Sequence, residues 1–136
     1  MKKILFVCVE NAGRSQMAEA LANKYGKGKL YASSAGNKPA DKVHPLVVKA
    51  MKEIGIDISA NKPKLLTFEM AQEADLIVTM GCKDQGICPG PFFKPTIEWN
   101  VEDPKEKPLE EVRAIRDDIQ RLVQELVASA STRSGC

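Results

Sequence analysis

A chain of 136 residues, 43% of them hydrophobic, is long enough to bury one core and too short for two domains. Its 20 basic and 18 acidic residues leave a formal charge of +2 without a basic stripe, which argues against nucleic acid or an anionic membrane and favours small anions as guests. Met1-Lys2-Lys3 runs straight into strand-like sequence with no apolar signal segment, and no stretch reaches membrane-spanning length, so a cytoplasmic location is expected. In that reducing compartment four cysteines are expected to be catalytic, redox-active or metal-binding rather than a static disulfide framework.

Ile4 to Val7 is an unbroken apolar run, which predicts a buried strand. Met17, Ala18, Leu21, Ala22 and Tyr25 then recur at helical spacing, leaving Glu10 to Ser15 as a strand-to-helix turn. A short second strand falls in Lys29 to Ser34, and Pro45 opens a helix with Leu46, Val47, Ala50, Met51 and Ile54 on one side and Gly55 as its stop. Thr67 to Ala74 reads as a short helix leading into a third strand, Leu76 to Met80, and Thr96 to Trp99 supplies a fourth. Val112, Ile115, Ile119, Leu122, Val123 and Leu126 form the apolar stripe of a final core-facing helix. Residues 1–128 are thus expected to form one domain, with 129–136 as a flexible tail in which Cys136 is a bystander.

Strands alternating with helices imply a parallel sheet, and right-handed crossovers allow the order 2-1-3-4 in a three-layer α/β sandwich. That order puts a topological switch beside the first strand, and ligands of open parallel sheets bind beyond the carboxyl ends of the strands at such a point. Cys8 follows the first strand, Cys82 the third and Asp103 the fourth, so one sheet edge gathers all three.

The chemistry concentrates in Cys8-x5-Arg14-Ser15. The first turn of a helix leaves backbone N–H groups unpaired and carries roughly half a unit of positive charge, so the turn made by Val9, Glu10, Asn11, Ala12 and Gly13 is suited to a tetrahedral oxyanion. Arg14 closes the cradle with a planar fork that donates two parallel hydrogen bonds, which a lysine cannot do. The same field favours the thiolate of Cys8, the form that attacks, and the Ser15 hydroxyl is placed to donate to it. Gly13 and Asn11 suit the unusual backbone angles of a loop wrapped around an anion.

Cys82 and Cys88 flank a stretch rich in glycine and proline. A disulfide there needs Cα atoms within about 7 Å, which such a segment can reach. Zinc is a competing reading that the single histidine and the lack of a second close-spaced pair disfavour, and two unrelated buried thiols are a third. Asp103, held extended by Pro104, is either a general acid or an ordinary Asp-Pro turn. Glu98, Glu102, Glu106, Glu110 and Glu111 read as solvated charges, and His44 as a residue at a helix entrance.

The run Cys8-Val9-Glu10-Asn11-Ala12-Gly13-Arg14-Ser15-Gln16-Met17-Ala18-Glu19, with Ser34-Ala35-Gly36, Ala50 to Ser59, Asp75 to Met80 and Asp103-Pro104, resembles the low-molecular-weight tyrosine phosphatase superfamily, and within it the thioredoxin-coupled arsenate reductases. The resemblance implies a thiol cascade. Cys8 attacks arsenate held by Arg14 and the loop amides, Asp103 assists departure of water, Cys82 attacks Cys8 and releases arsenite, and Cys88 moves the oxidation into an 82–88 disulfide that thioredoxin or a similar dithiol protein reduces. A chain of this kind is expected to act as a monomer. Some members hold a potassium ion, for which Asn11, Glu19 and Ser34 match possible oxygen donors; otherwise no cofactor is required, and the ammonium of Lys62 is a candidate substitute. Glu10 sits uncomfortably beside an anion and must point outward.

Two other functions fit the same loop. A phosphatase hydrolysing phosphate monoesters through a phosphocysteine uses the cradle and Asp103 but needs neither Cys82 nor Cys88, and Phe92, Phe93 and Trp99 are either its substrate wall or packing. A non-catalytic oxyanion-binding redox sensor would bind without turnover.

Overall fold

Lys2–Cys8 forms strand β1, in which Ile4 to Cys8 are all buried, as expected of a strand covered on both faces. In this computed structural model, which describes residues 2–80 and 95–134 (backbone only for 130–134), Ile4, Phe6 and Cys8 enter one core cluster while Leu5 and Val7 enter another. The elements that follow are α1 (Arg14–Tyr25), β2 (Leu30–Gly36), α2 (Pro45–Lys52), α3 (Phe68–Glu73), β3 (Leu76–Met80), β4 (Thr96–Trp99) and α4 (Leu109–Ser134). The sheet order is β2-β1-β3-β4, with every pairing parallel, as the crossover rule allowed.

The layers follow from the two clusters. Met17, Ala18 and Leu21 of α1, Val47 and Met51 of α2, and Val112, Ile115, Ile119 and Val123 of α4 pack with Ile4, Phe6 and Val78 on one face. On the other face, Ala71 of α3 and Ala74 join Leu5, Val7, Ala35 and Ile77. Trp99 belongs to the first core: it is 8% exposed, with its ring centroid 5.5 Å from that of Phe6, so its role is packing.

Element ends differ from the periodicity in instructive ways. Helix α1 begins at Arg14, so Arg14 and Ser15 belong to its first turn and the connecting loop is only Val9 to Gly13. Strand β2 runs on to Gly36, which pairs with Cys8, because the parallel ladder extends as far as β1 does. Thr67 caps α3, its hydroxyl accepting from the Met70 N–H at 3.2 Å. Helix α4 continues past Ala128 to Ser134, with no glycine or proline until Gly135 to stop it. Among the described residues no helix is long and apolar enough to cross a membrane.

Candidate active site

The loop between β1 and α1 is turned so that its carbonyls face outward. The oxygens of Val9, Glu10 and Ala12 accept from the backbone N–H groups of Lys38, Ala40 and His44 at 2.9, 3.0 and 2.9 Å, and the Asn11 carbonyl accepts from Gln16 Nε2 at 3.1 Å. Carbonyls held on the outside leave the loop amides to the inside, beside the uncapped N-terminus of α1, where Gly13 supplies no side-chain bond. Gly36 makes this possible. A Cβ there would stand 2.6 Å from the Val9 carbonyl oxygen and 2.9 Å from the Asn11 nitrogen, so β2 can pass behind the loop only without a side chain.

Cys8, at the end of β1, is 4% exposed, and its Sγ lies 2.8 Å from Ser15 Oγ. The partners around that contact fix the serine oxygen in place. The Lys64 backbone N–H donates to Asn11 Oδ1 at 2.9 Å, and a backbone amide can only donate, so the Asn11 amino group must face the other way. It donates to Ser15 Oγ at 2.7 Å, and once the Cys8 sulfur is a thiolate, which can only accept, the serine proton is the donor in the 2.8 Å contact. Gln16, 1% exposed, braces the same asparagine: its Nε2 donates to Asn11 Oδ1 at 3.1 Å, and its Oε1 accepts from Asn61 Nδ2 at 3.2 Å. Asn11 has φ 51°, the left-handed conformation that asparagine tolerates, so backbone and side chain are fixed together.

Arg14 is 3% exposed, its Nη1 donating to the Val101 carbonyl at 2.9 Å and its Nη2 3.7 Å from Asp103 Oδ2. The guanidinium is thus held in place by contacts of this chain, with Asp103 beside it. Glu10 does point outward: Oε2 accepts from Lys105 Nζ at 3.0 Å, and Oε1 lies 3.5 Å from His44 Nε2. His44 is also the residue before Pro45 at the start of α2, as the sequence suggested.

Of the residues considered for potassium, Asn11 and Glu19 have oxygens engaged by donors of this chain, and Ser34 is one of those donors. Asn11 Oδ1 takes two N–H groups, while Glu19 Oε1 accepts from the Ser34 hydroxyl at 3.1 Å and lies 3.7 Å from Lys64 Nζ. This set does not fit a potassium ion. The ammonium beside Glu19 is that of Lys64, not of Lys62, whose carbonyl instead accepts from Gln16 Nε2 at 3.5 Å. Burial pushes the Glu19 carboxyl above its ordinary value, and Lys64 and Ser34 offset part of the shift.

Cys8, Arg14, Ser15 and Asp103 therefore converge on one loop, while Cys82, Cys88, Phe92, Phe93 and Cys136 lie outside the described residues. The periodic reading missed Gln16, Lys64 and Lys105. The first stood unremarked inside the quoted motif, and the other two act across sequence gaps that no local pattern spans.

The model of the low molecular weight phosphotyrosine protein phosphatases matches residues 3–134. The chain belongs to this family. Within the phosphatase family, it is 40% identical over 119 residues to an arsenate reductase of Brevibacillus brevis, covering 87% of this chain and 88% of that one. It is 36% identical over 135 residues to a glutaredoxin arsenate reductase of Synechocystis, covering 96% and 100%. Among solved structures, a thioredoxin-dependent arsenate reductase of Corynebacterium glutamicum superposes with a TM-score of 0.81 at 37% identity, over 98% of this chain. This chain spans only 63% of that protein's length.

Proposed function

We propose that the chain reduces arsenate to arsenite with Cys8 as the nucleophile. The observation that carries the chemistry is the Ser15 hydroxyl 2.8 Å from the Cys8 sulfur, held there by Asn11 and able to donate to a thiolate, beside Arg14 in the first turn of α1. The nearly full-length relatives named arsenate reductases favour this substrate over a phosphate ester.

The thiolate attacks arsenic, an As–S bond forms, and one As–O bond breaks with its oxygen leaving as water after taking a proton from Asp103. Arg14 and the loop amides hold the remaining oxygens and stabilise the charge that develops on them. Cys82 then attacks the Cys8 sulfur, the As–S electron pair stays on arsenic, and arsenite departs. Cys88 attacks Cys82, freeing Cys8 and leaving an 82–88 disulfide. A dithiol protein of the thioredoxin or glutaredoxin type, the reductants named for the relatives, restores both thiols. We place this cycle in the cytoplasm, where thiols are kept reduced, and on a monomer, since every group invoked at the oxyanion belongs to one chain.

The test is multiple turnover with arsenate, thioredoxin, thioredoxin reductase and NADPH. The wild type is expected to release arsenite continuously, and Cys82→Ser and Cys88→Ser to stop after one equivalent or less while retaining some phosphate-ester hydrolysis. Undiminished cycling in either variant contradicts the relay, and ester hydrolysis without any arsenite from the wild type favours the phosphatase reading.

A further inference from the structure

We infer that Glu10 is a positioning residue: through Lys105 it holds the turn that carries Asp103 over the anion loop. The contacts form a chain that starts in that loop at Glu10 and ends on the first turn of α1 at Arg14. Glu10 Oε2 accepts from Lys105 Nζ at 3.0 Å, the backbone N–H of Lys105 donates to Asp103 Oδ1 at 3.0 Å, and Asp103 Oδ2 faces Arg14 Nη2 at 3.7 Å. Lys105 therefore grips both partners, Glu10 with its side chain and the Asp103 carboxylate with its main chain.

Apart from the Glu10–Lys105 pair, the segment is tied by Arg14, which donates to the Val101 carbonyl at 2.9 Å and faces Asp103 at 3.7 Å, while the turn beyond Asp103 meets the loop by packing. Pro104 Cγ lies 2.8 Å from where a Cβ on Gly13 would be, close enough to seat the turn but with no hydrogen bond in the contact. The turn itself closes through Lys107 N–H to the Pro104 carbonyl at 3.2 Å and places Glu106 at φ 61°. Its shape is set internally, whereas its distance from the cradle depends on what ties the two together.

A carboxylate in a loop built for anions opposes their binding, so its place there calls for a return in function. The Glu10–Lys105 pair gives little to folding, because Lys105 is half exposed and such pairs are weakly stabilising. It spans the two segments whose separation decides whether Asp103 reaches the leaving oxygen, and a misplacement of about 1 Å can cost about a hundredfold in rate.

This inference rests on Asp103 being the proton donor, and the test separates the two. Arsenite formation is followed in a single turnover with reduced protein in excess over arsenate, for wild type, Glu10→Gln, Lys105→Met, Lys105→Arg, Glu10→Gln/Lys105→Met and Asp103→Asn. The rate constant at saturating protein is expected to fall about tenfold in Glu10→Gln and Lys105→Met, with half-saturation within about twofold of wild type. The double variant is expected to be no slower than either single one, Lys105→Arg to stay near wild type, and iodoacetamide alkylation of Cys8 to be unchanged throughout. Tighter binding of arsenate to Glu10→Gln at an unchanged rate constant would mean the carboxylate acts only by its charge and would overturn the inference. Wild-type rate constants in both single variants, with Asp103→Asn slow, overturn it while leaving Asp103 as the acid. A wild-type rate in Asp103→Asn removes the acid and the latch together.

Discussion

At Cys8 the decisive feature is direction. One backbone amide, that of Lys64, orients Asn11, Asn11 donates to Ser15 Oγ, and a Cys8 thiolate, which can only accept, then takes the Ser15 proton in a hydrogen bond. A hydrogen bond to a charged group is worth about 1.5–3 kcal/mol, so Ser15→Ala, which removes one from the Cys8 thiolate, is expected to slow iodoacetamide alkylation of Cys8 near neutral pH. An unchanged alkylation rate would show that the hydroxyl does not serve the thiolate. Gly36 supports the loop from behind, and a methyl group 2.6 Å from the Val9 carbonyl forces backbone to move. Gly36→Ala is therefore expected to lose about 1–3 kcal/mol of stability and to weaken phosphate binding, measured by urea unfolding and calorimetry. Wild-type stability and affinity would contradict the close approach. Cys8, Arg14, Ser15 and Asn11 were legible in the sequence because they lie within eight residues of one another. Lys64 and Lys105 were not, since their partners are tens of residues away and lysine on a polar segment carries no signal of its own.

Among the elements, those with a strong apolar period were legible and their ends were not. Strand β1 and helix α4 announce themselves by composition, but β2 reaches Gly36 because β1 offers it a ladder, a fact of pairing rather than of either segment. The start of α1 at Arg14 matters more, since it puts the guanidinium and the Ser15 hydroxyl on the rigid first turn instead of on a loop. The packing of α2 on α4 rests partly on charge: Arg113 Nε and Nη2 donate to Glu53 at 2.9 and 2.6 Å, and Arg116 Nη1 donates to the Ala50 carbonyl at 2.8 Å, near the end of α2. Arg113 holds the Glu53 carboxyl below its ordinary value. A lowered carboxyl stabilises the fold above its unfolded value and loses that contribution as pH falls through its folded one. Glu53→Gln is thus expected to melt lower than wild type at pH 7, with the gap closing as the carboxylate range is crossed downward. A gap that stays constant with pH would assign the effect to packing.

For the whole molecule, the order β2-β1-β3-β4 brings residues from the two ends of the chain to one edge, so that Arg14 meets Val101 and Asp103 across the sheet. The same edge carries a stability cost in Glu19, whose carboxyl burial raises. A raised carboxyl contributes fully below its unfolded value, near 4.5, and loses its contribution as pH rises through the folded value. Glu19→Gln is accordingly expected to gain on wild type in urea unfolding between pH 4 and 7, and a variant that loses ground over that range would show the Lys64 pair to outweigh burial. The switch-point architecture was readable from alternating strands and helices, whereas the filling of the Glu19 region by a lysine was visible only once Lys64 had been placed. The proposed link from fold to function is the passage of oxidation outward from Cys8, and mass spectrometry of reduced protein treated with one equivalent of arsenate, then alkylated and digested, reads it. The expected peptide map shows Cys8 alkylated as a free thiol and Cys82 disulfide-bonded to Cys88; Cys82 and Cys88 both recovered as alkylated thiols after arsenite has formed would contradict it.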